Sequence, residues 1–255
     1  MNLVDTAIVS DGLTLCGHLA RPPASAGGPG LARHGLVICH GFPNGPGGAA
    51  TTARSYPNLA DRVAADTGWV VLTFNFRGTG ASEGNFSLGG WVCDLRAAVD
   101  FLLTNTDVDR VWLAGFGTGG ALALCAAAED GRVGGVVAFS APADFDSWAA
   151  DPRLFLEHGR SIGVIRDPEF PEDFSQWARE LHDIRPVGLI GKLAPRPVLL
   201  VHGGDDDVVS PMDARALGDA TDGEAELRIL ASAGSRLRHD PRAIAVLLGW
   251  LDRQT

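Results

Sequence analysis

Five short apolar runs, at 35–40, 69–75, 110–115, 133–140 and 197–202, are separated by stretches in which apolar residues recur at helical spacing. No other feature of the chain constrains the fold so much. Runs of this length suit strands buried on both faces better than helices. Parallel strands need crossover helices, and those helices cover both sides of the sheet. The pattern therefore predicts an α/β fold built on a doubly wound, mostly parallel sheet. One covering helix is legible from Leu88, Val92, Leu95, Val99 and Leu102, which fall on a single stripe. Another is predicted near the carboxyl end, with Asp240 as N-cap, Pro241 in first position, and Ile244, Leu247, Leu248 and Leu251 facing inward.

Ahead of these runs, 3–10 and 13–22 flank Asp11-Gly12, a hairpin turn pair, and predict an antiparallel edge. Residues 21–33, rich in Pro, Ala and Gly, read as a loop. A length of 255 residues suits one domain, 1–255, carrying an insertion. The insertion is expected at about 141–195, where the alternation fails and Trp148, Leu154, Phe155, Phe170, Phe174 and Trp177 stand among prolines and charges. This interval reads as a small helical cap above the carboxyl ends of the strands, where open α/β sheets bind ligands. Its aromatics either wall a ligand cleft or form the cap's own core.

Composition narrows the function classes. A formal net charge of −10 and the lack of a basic run with interleaved aromatics argue against nucleic acid and anionic membrane surfaces as partners. The acidic amino-terminal stretch has no basic start followed by an apolar core, so a cytoplasmic location is expected. Segment 111–128 is uncharged and approaches membrane-spanning length, but glycines 115, 117, 119 and 120 cut it into strand, tight turn and helix. Cys16, Cys39, Cys93 and Cys125 stand singly and read as reduced core thiols rather than a disulfide framework or a zinc site. The triplet Asp205–Asp206–Asp207 reads as a solvated turn, since no further oxygen ligands stand at workable spacing. Neither a metal nor a cofactor is expected, and "GFGTGG" lacks the Gly-Lys-Ser/Thr ending of a phosphate loop.

Four landmarks follow one another along the chain: "ICHGF" at 38–42, "NFRGTGASEG" at 75–84, "AGFGTGG" at 114–120 and "VHGGDDDVVSP" at 201–211. In this order they resemble the α/β-hydrolase superfamily, especially its dienelactone-hydrolase-like and serine-aminopeptidase-like members, over nearly the whole length. The resemblance places the strand-to-helix turn that presents the nucleophile at Gly117 and the acid at Asp206. It places the histidine at Ser235, within "SAGSRLRHDP". It also implies that the backbone N–H groups of Phe42 and Thr118 form an oxyanion hole.

Two of the three triad positions thus hold residues unsuited to the work: glycine offers no nucleophile, and a serine hydroxyl is too weak a base at neutral pH. Thr118 is a poor substitute nucleophile, because the family turns that side chain away from the substrate and the shifted motif would have Phe116 where the turn wants glycine. Among the histidines, His239 precedes a helix start, His40 and His202 end strands, His18 lies in the early strand region and His34 in a loop. His158 and His182 belong to the cap and are the two that could reach a roofed cleft. The expectation is a hydrolase-fold protein that has lost serine-triad hydrolysis and binds a small carbonyl or carboxylate ligand or a protein partner. Its alternative is an active carboxylic-ester hydrolase or lactonase working through an unconventional base or nucleophile. A hydrolase disabled by substitution would give the same sequence.

Overall fold

Apolar residues flanked by glycine and charge make the run Val-Trp-Leu-Ala-Gly-Phe a strand buried along its length, and it lies inside an eight-stranded sheet. The computed structural model describes residues 6–23, 34–45 and 47–254. The strands are β1 (Thr6–Ser10), β2 (Leu13–Ala20), β3 (His34–Cys39), β4 (Val70–Phe74), β5 (Arg110–Phe116), β6 (Val133–Phe139), β7 (Val198–Gly203) and β8 (Glu226–Leu230). Their order is β1-β2-β4-β3-β5-β6-β7-β8. The pairs β1–β2 and β2–β4 are antiparallel, and every pair from β4 across to β8 is parallel. This is the mixed α/β architecture that the alternation predicts, with the hairpin at its edge.

Helices α1 (Tyr56–Thr67), α2 (Leu88–Asn105) and α3 (Thr118–Glu129) make the first crossovers. Between β6 and β7 come α4 (Asp146–Ala149), α5 (Pro152–Ser161), α6 (Phe174–Asp183) and α7 (Pro186–Leu189), and after β7 come α8 (Pro211–Asp219) and α9 (Pro241–Asp252). Two cores result, one on each face of the sheet. On one, Leu95, Val99 and Leu102 of α2 pack with Leu122 and Leu124 of α3. On the other, Tyr56 and Val63 of α1 pack with Leu247 and Trp250 of α9. The predicted cap of α9 forms as expected: the Asp240 carboxylate accepts the Arg242 backbone N–H at 2.8 Å.

Three details differ from the sequence reading. His34 opens β3 rather than lying in a loop, its ring packed against Trp69 and Trp112. Strand β8 carries no continuous apolar run, because as an edge strand it buries little and keeps Arg228 and Ile229 exposed. Strand β2 stops at Ala20, before two prolines that cannot donate to a ladder. Residues 3–5 of the first predicted run and 24–33 of the predicted loop lie outside the described residues.

Candidate functional site

The carboxyl ends of β3, β5, β7 and β8 gather the residues singled out above, because parallel strands all deliver their following loops to one edge. At the centre, β5 runs into Gly117, whose backbone has φ 54° and ψ −127°, and α3 begins at the next residue. Such a conformation is rare for any residue with a Cβ. The turn is held by the Gly117 N–H, which donates to the Phe139 carbonyl at 2.8 Å. The Gly117 carbonyl in turn accepts from Gly120 and Ala121 at 2.9 and 3.1 Å.

The neighbouring glycines are required by packing rather than by torsion. A Cβ on Gly115 would overlap the Gly119 carbonyl, and one on Gly119 would overlap the His40 carbonyl. At Gly117 a Cβ would meet only the Gly41 Cα, at 3.7 Å, an ordinary contact. The position that carries the nucleophile in the resemblance is therefore strained in backbone but open in space.

The loop after β3 stands against this turn. His40 is wholly buried and anchors it: the Phe76 N–H donates to Nε2 at 3.1 Å, which leaves the proton on Nδ1 to be donated to the Gly41 carbonyl at 2.8 Å. Burial pulls the His40 pKa down to about 4; the Gly41 hydrogen bond opposes this and the nearby Arg238 charge adds to it. His40 is thus a neutral structural group. Phe42 follows, half-buried, and Thr118 is the first residue of α3, where a helix N–H has no intrahelical acceptor.

At the other end, β7 delivers Asp206, whose side chain is fully enclosed. Its Oδ1 accepts the N–H groups of Val208 and Val209, both at 3.0 Å. Its Oδ2 is buried and has no hydrogen-bond partner; the nearest cationic candidate, His202 Nε2, is 3.6 Å away and spends its proton on the Val209 carbonyl at 2.9 Å. One oxygen of a buried carboxyl is left for a donor that none of the described residues supplies.

The loop after β8 is stitched to the loop after β7: Gly204 N–H donates to the Leu230 carbonyl at 2.8 Å and Asp205 N–H to the Ala233 carbonyl at 2.9 Å. Ser235 is half-buried and lines an open depression of about 660 Å³ with Asn44, Asp205, Asp207 and Arg236. Asp206 and Ser235 therefore occupy adjoining loops, and Asn44 links that depression to the loop carrying Phe42. Among the described residues, no group of three or more His, Cys, Asp or Glu side chains is arranged to hold a metal ion. No helix among them is long and apolar enough to cross a membrane.

Above the turn, the aromatics of 141–195 pack on one another and on the loop below. Trp148 and Phe155 stack at 4.3 Å, and Phe42 lies 4.9 Å from Trp148 and 5.4 Å from Phe155. Of the two cap histidines, His158 is exposed with its ring 6.1 Å from Phe42. His182 stands elsewhere, 4.0 Å from Asp146 and largely in solvent. His239 is exposed at the entry to α9. Segment 141–195 is strapped to the loop after β4: Arg166 donates to the Ser82, Gly78 and Gly80 carbonyls, and Phe86 N–H donates to Val164. That loop is fixed in turn by Arg77 on the fully buried Asp94, at 2.7 Å, a pair whose partners are too far apart in sequence to be read as such.

The profile of the alpha/beta hydrolase fold family matches residues 36–188, from within β3 through the Gly117 turn into α7. The chain belongs to that family. It is 28% identical over 257 residues to the polyketide transferase ATR5 of Stachybotrys chlorohalonatus, covering 82% of this chain and 81% of that one. Its fold is similar to that of the α/β hydrolase GrgF from Penicillium sp. sh18, with TM-score 0.74, 21% identity and 97% of both chains covered. It is also similar to Est1E from Butyrivibrio proteoclasticus, solved with ferulic acid, with TM-score 0.69, 21% identity and 98% and 97% covered.

Proposed function

We propose that this α/β-hydrolase-fold chain does not perform serine-triad hydrolysis and instead binds a small carbonyl or carboxylate ligand at the Gly117 turn, as a pseudoenzyme. The carrying observation is Gly117 itself: the elbow retains its backbone geometry, yet the position that should present the nucleophile has no side chain. Ser235 in place of an imidazole, on the loop adjoining that of Asp206 with its unpartnered Oδ2, supports the same reading. The N–H groups of Phe42 and Thr118 remain as the ligand's donors, at the amino end of α3 where negative charge is favoured. A protein partner on this edge is the other form that the same reading takes.

The alternative is a carboxylic-ester hydrolase or lactonase that uses water and an unconventional base. The exposed His158 beside Phe42 is the observation in its favour. Short activated esters and a serine-directed fluorophosphonate probe separate the two. The binding reading expects neither turnover nor stoichiometric labelling. Turnover abolished by His158→Gln would replace it with the alternative, and labelling would overturn it outright.

A further inference from the structure

Arg238 lies in the single helical turn Leu237–His239 between β8 and α9, half-buried, with its guanidinium carbon 5.4 Å above the ring of Tyr56. Its Nε is sealed from solvent and has no hydrogen-bond partner. Among the described residues it forms no ion pair, whereas Arg77, Arg132, Arg185, Arg242 and Arg253 each have a carboxylate. The acids on the neighbouring loops are otherwise placed. Asp206 faces the Val208 and Val209 amides, Asp240 caps α9 and holds Arg242, and Asp205 and Asp207 line the depression with Arg236. A guanidinium partly withdrawn from water without a carboxylate is costly, and among the described residues only the Tyr56 ring and phenol offset this one.

Its location gives the charge a use. Tyr56, fully buried, is 6.1 Å from the His40 ring and 5.7 Å from Phe116, the residue before Gly117. Burial pushes the Tyr56 phenol up to about 12, with the Arg238 charge, a hydrogen bond from Arg238 and one from the Gly41 backbone pulling the other way. Arg238 therefore stands behind the loop that carries Gly41 and Phe42, on the side of the sheet away from the cap. A fixed positive charge there acts through a low-dielectric layer on whatever sits at the Gly117 turn. It stabilises a full negative charge far more than the dipole of a neutral carbonyl.

We infer that Arg238 sets the ligand class of the site, selecting carboxylate anions over the corresponding neutral amides or esters; this rests on the ligand-binding reading above. Arg238 is a specificity residue acting through the loop rather than a group that touches the ligand. Phenylacetate and phenylacetamide, which share an aromatic body and differ in charge, are the probes, measured by isothermal titration against the parent, Arg238→Gln and Arg238→Lys.

The parent should bind phenylacetate at least about tenfold more tightly than the amide. Arg238→Gln should lose most of that preference while its affinity for the amide stays within about twofold, and Arg238→Lys should retain it in large part. A preference unchanged in Arg238→Gln would overturn the role of Arg238 and leave the ligand-binding reading standing. Equal binding of the two probes by the parent would do the same, and needs no variant to fold. Binding of neither probe by the parent would overturn both.

Discussion

On the reading proposed above, the two ends of the candidate site lack their triad groups in different ways. At the β5 end, the missing group is a side chain on a turn that backbone contacts define: Gly115 and Gly119 leave no room for a Cβ, and Gly117 keeps its φ of 54° without one. At the β7–β8 end, the missing group is a partner, and its absence is felt by another side chain, the enclosed Asp206, whose Oδ2 has no donor. On that reading a nucleophile position is held by main-chain geometry, which does not need the side chain. A base position depends on side-chain pairing, and without an imidazole the Asp206 carboxyl is left short of a donor among the described residues.

The sharpest way to break this comparison is to repair both ends at once. Gly117→Ser with Ser235→His should restore measurable hydrolysis of a short p-nitrophenyl ester, while either change alone stays near background. Triad members act as a unit, and loss of one can cost roughly a million-fold in kcat, or about 8 kcal/mol of barrier. A folded double variant no faster than its parent would show that Gly117, Asp206 and Ser235 do not occupy the three triad positions.

The contrast within the turn is smaller and is read in stability. Gly119→Ala drives a Cβ into the His40 carbonyl and should destabilise by about 3 kcal/mol, the upper end of ordinary overpacking. Gly117→Ala meets only the Gly41 Cα at 3.7 Å and should cost the backbone strain alone, about 1–3 kcal/mol. Urea denaturation of the two variants checks the ranking; equal losses would mean that the contact at Gly119 relaxes and does not set it apart from Gly117.

His40 gives an effect of about the size expected at Gly117 and tests whether the β3 loop is held by a neutral ring. With its folded pKa lowered to about 4 from 6.5, the unfolded chain takes up a proton that the folded chain refuses. The neutral ring therefore contributes its full stability above pH 6.5 and loses it as pH falls toward 4. Between pH 7 and pH 5 the loss should be about 2 kcal/mol. In His40→Asn that component should vanish, leaving a shallower decline; an unchanged slope would mean that His40 is protonated in the fold.

Much of this was legible before any coordinates. The apolar alternation carries the parallel sheet because strands buried on both faces must be apolar throughout, and β3 to β7 obey that rule. Strand β8 escaped because an edge strand has too little buried surface to leave a run. The resemblance carried by the His-Gly, Gly-rich and Asp-rich loops singled out Phe42, Gly117 and Asp206, because those motifs are contiguous in the chain. Arg238, Tyr56 and the Arg77–Asp94 pair left no such trace, since each acquires its meaning from a partner distant in the chain.

By itself the sequence determined which backbone shapes are available: where the chain must be buried, where only glycine is tolerated, and that no serine stands at position 117 and no histidine at 235. Only the tertiary structure decided which charges are compensated. It left Asp206 with one oxygen unmet and Arg238 without an acid, while giving Asp94 and Asp240 their arginines. Burial and backbone torsion follow from local pattern, but the pairing of a charge depends on what the fold brings within a few ångströms of it.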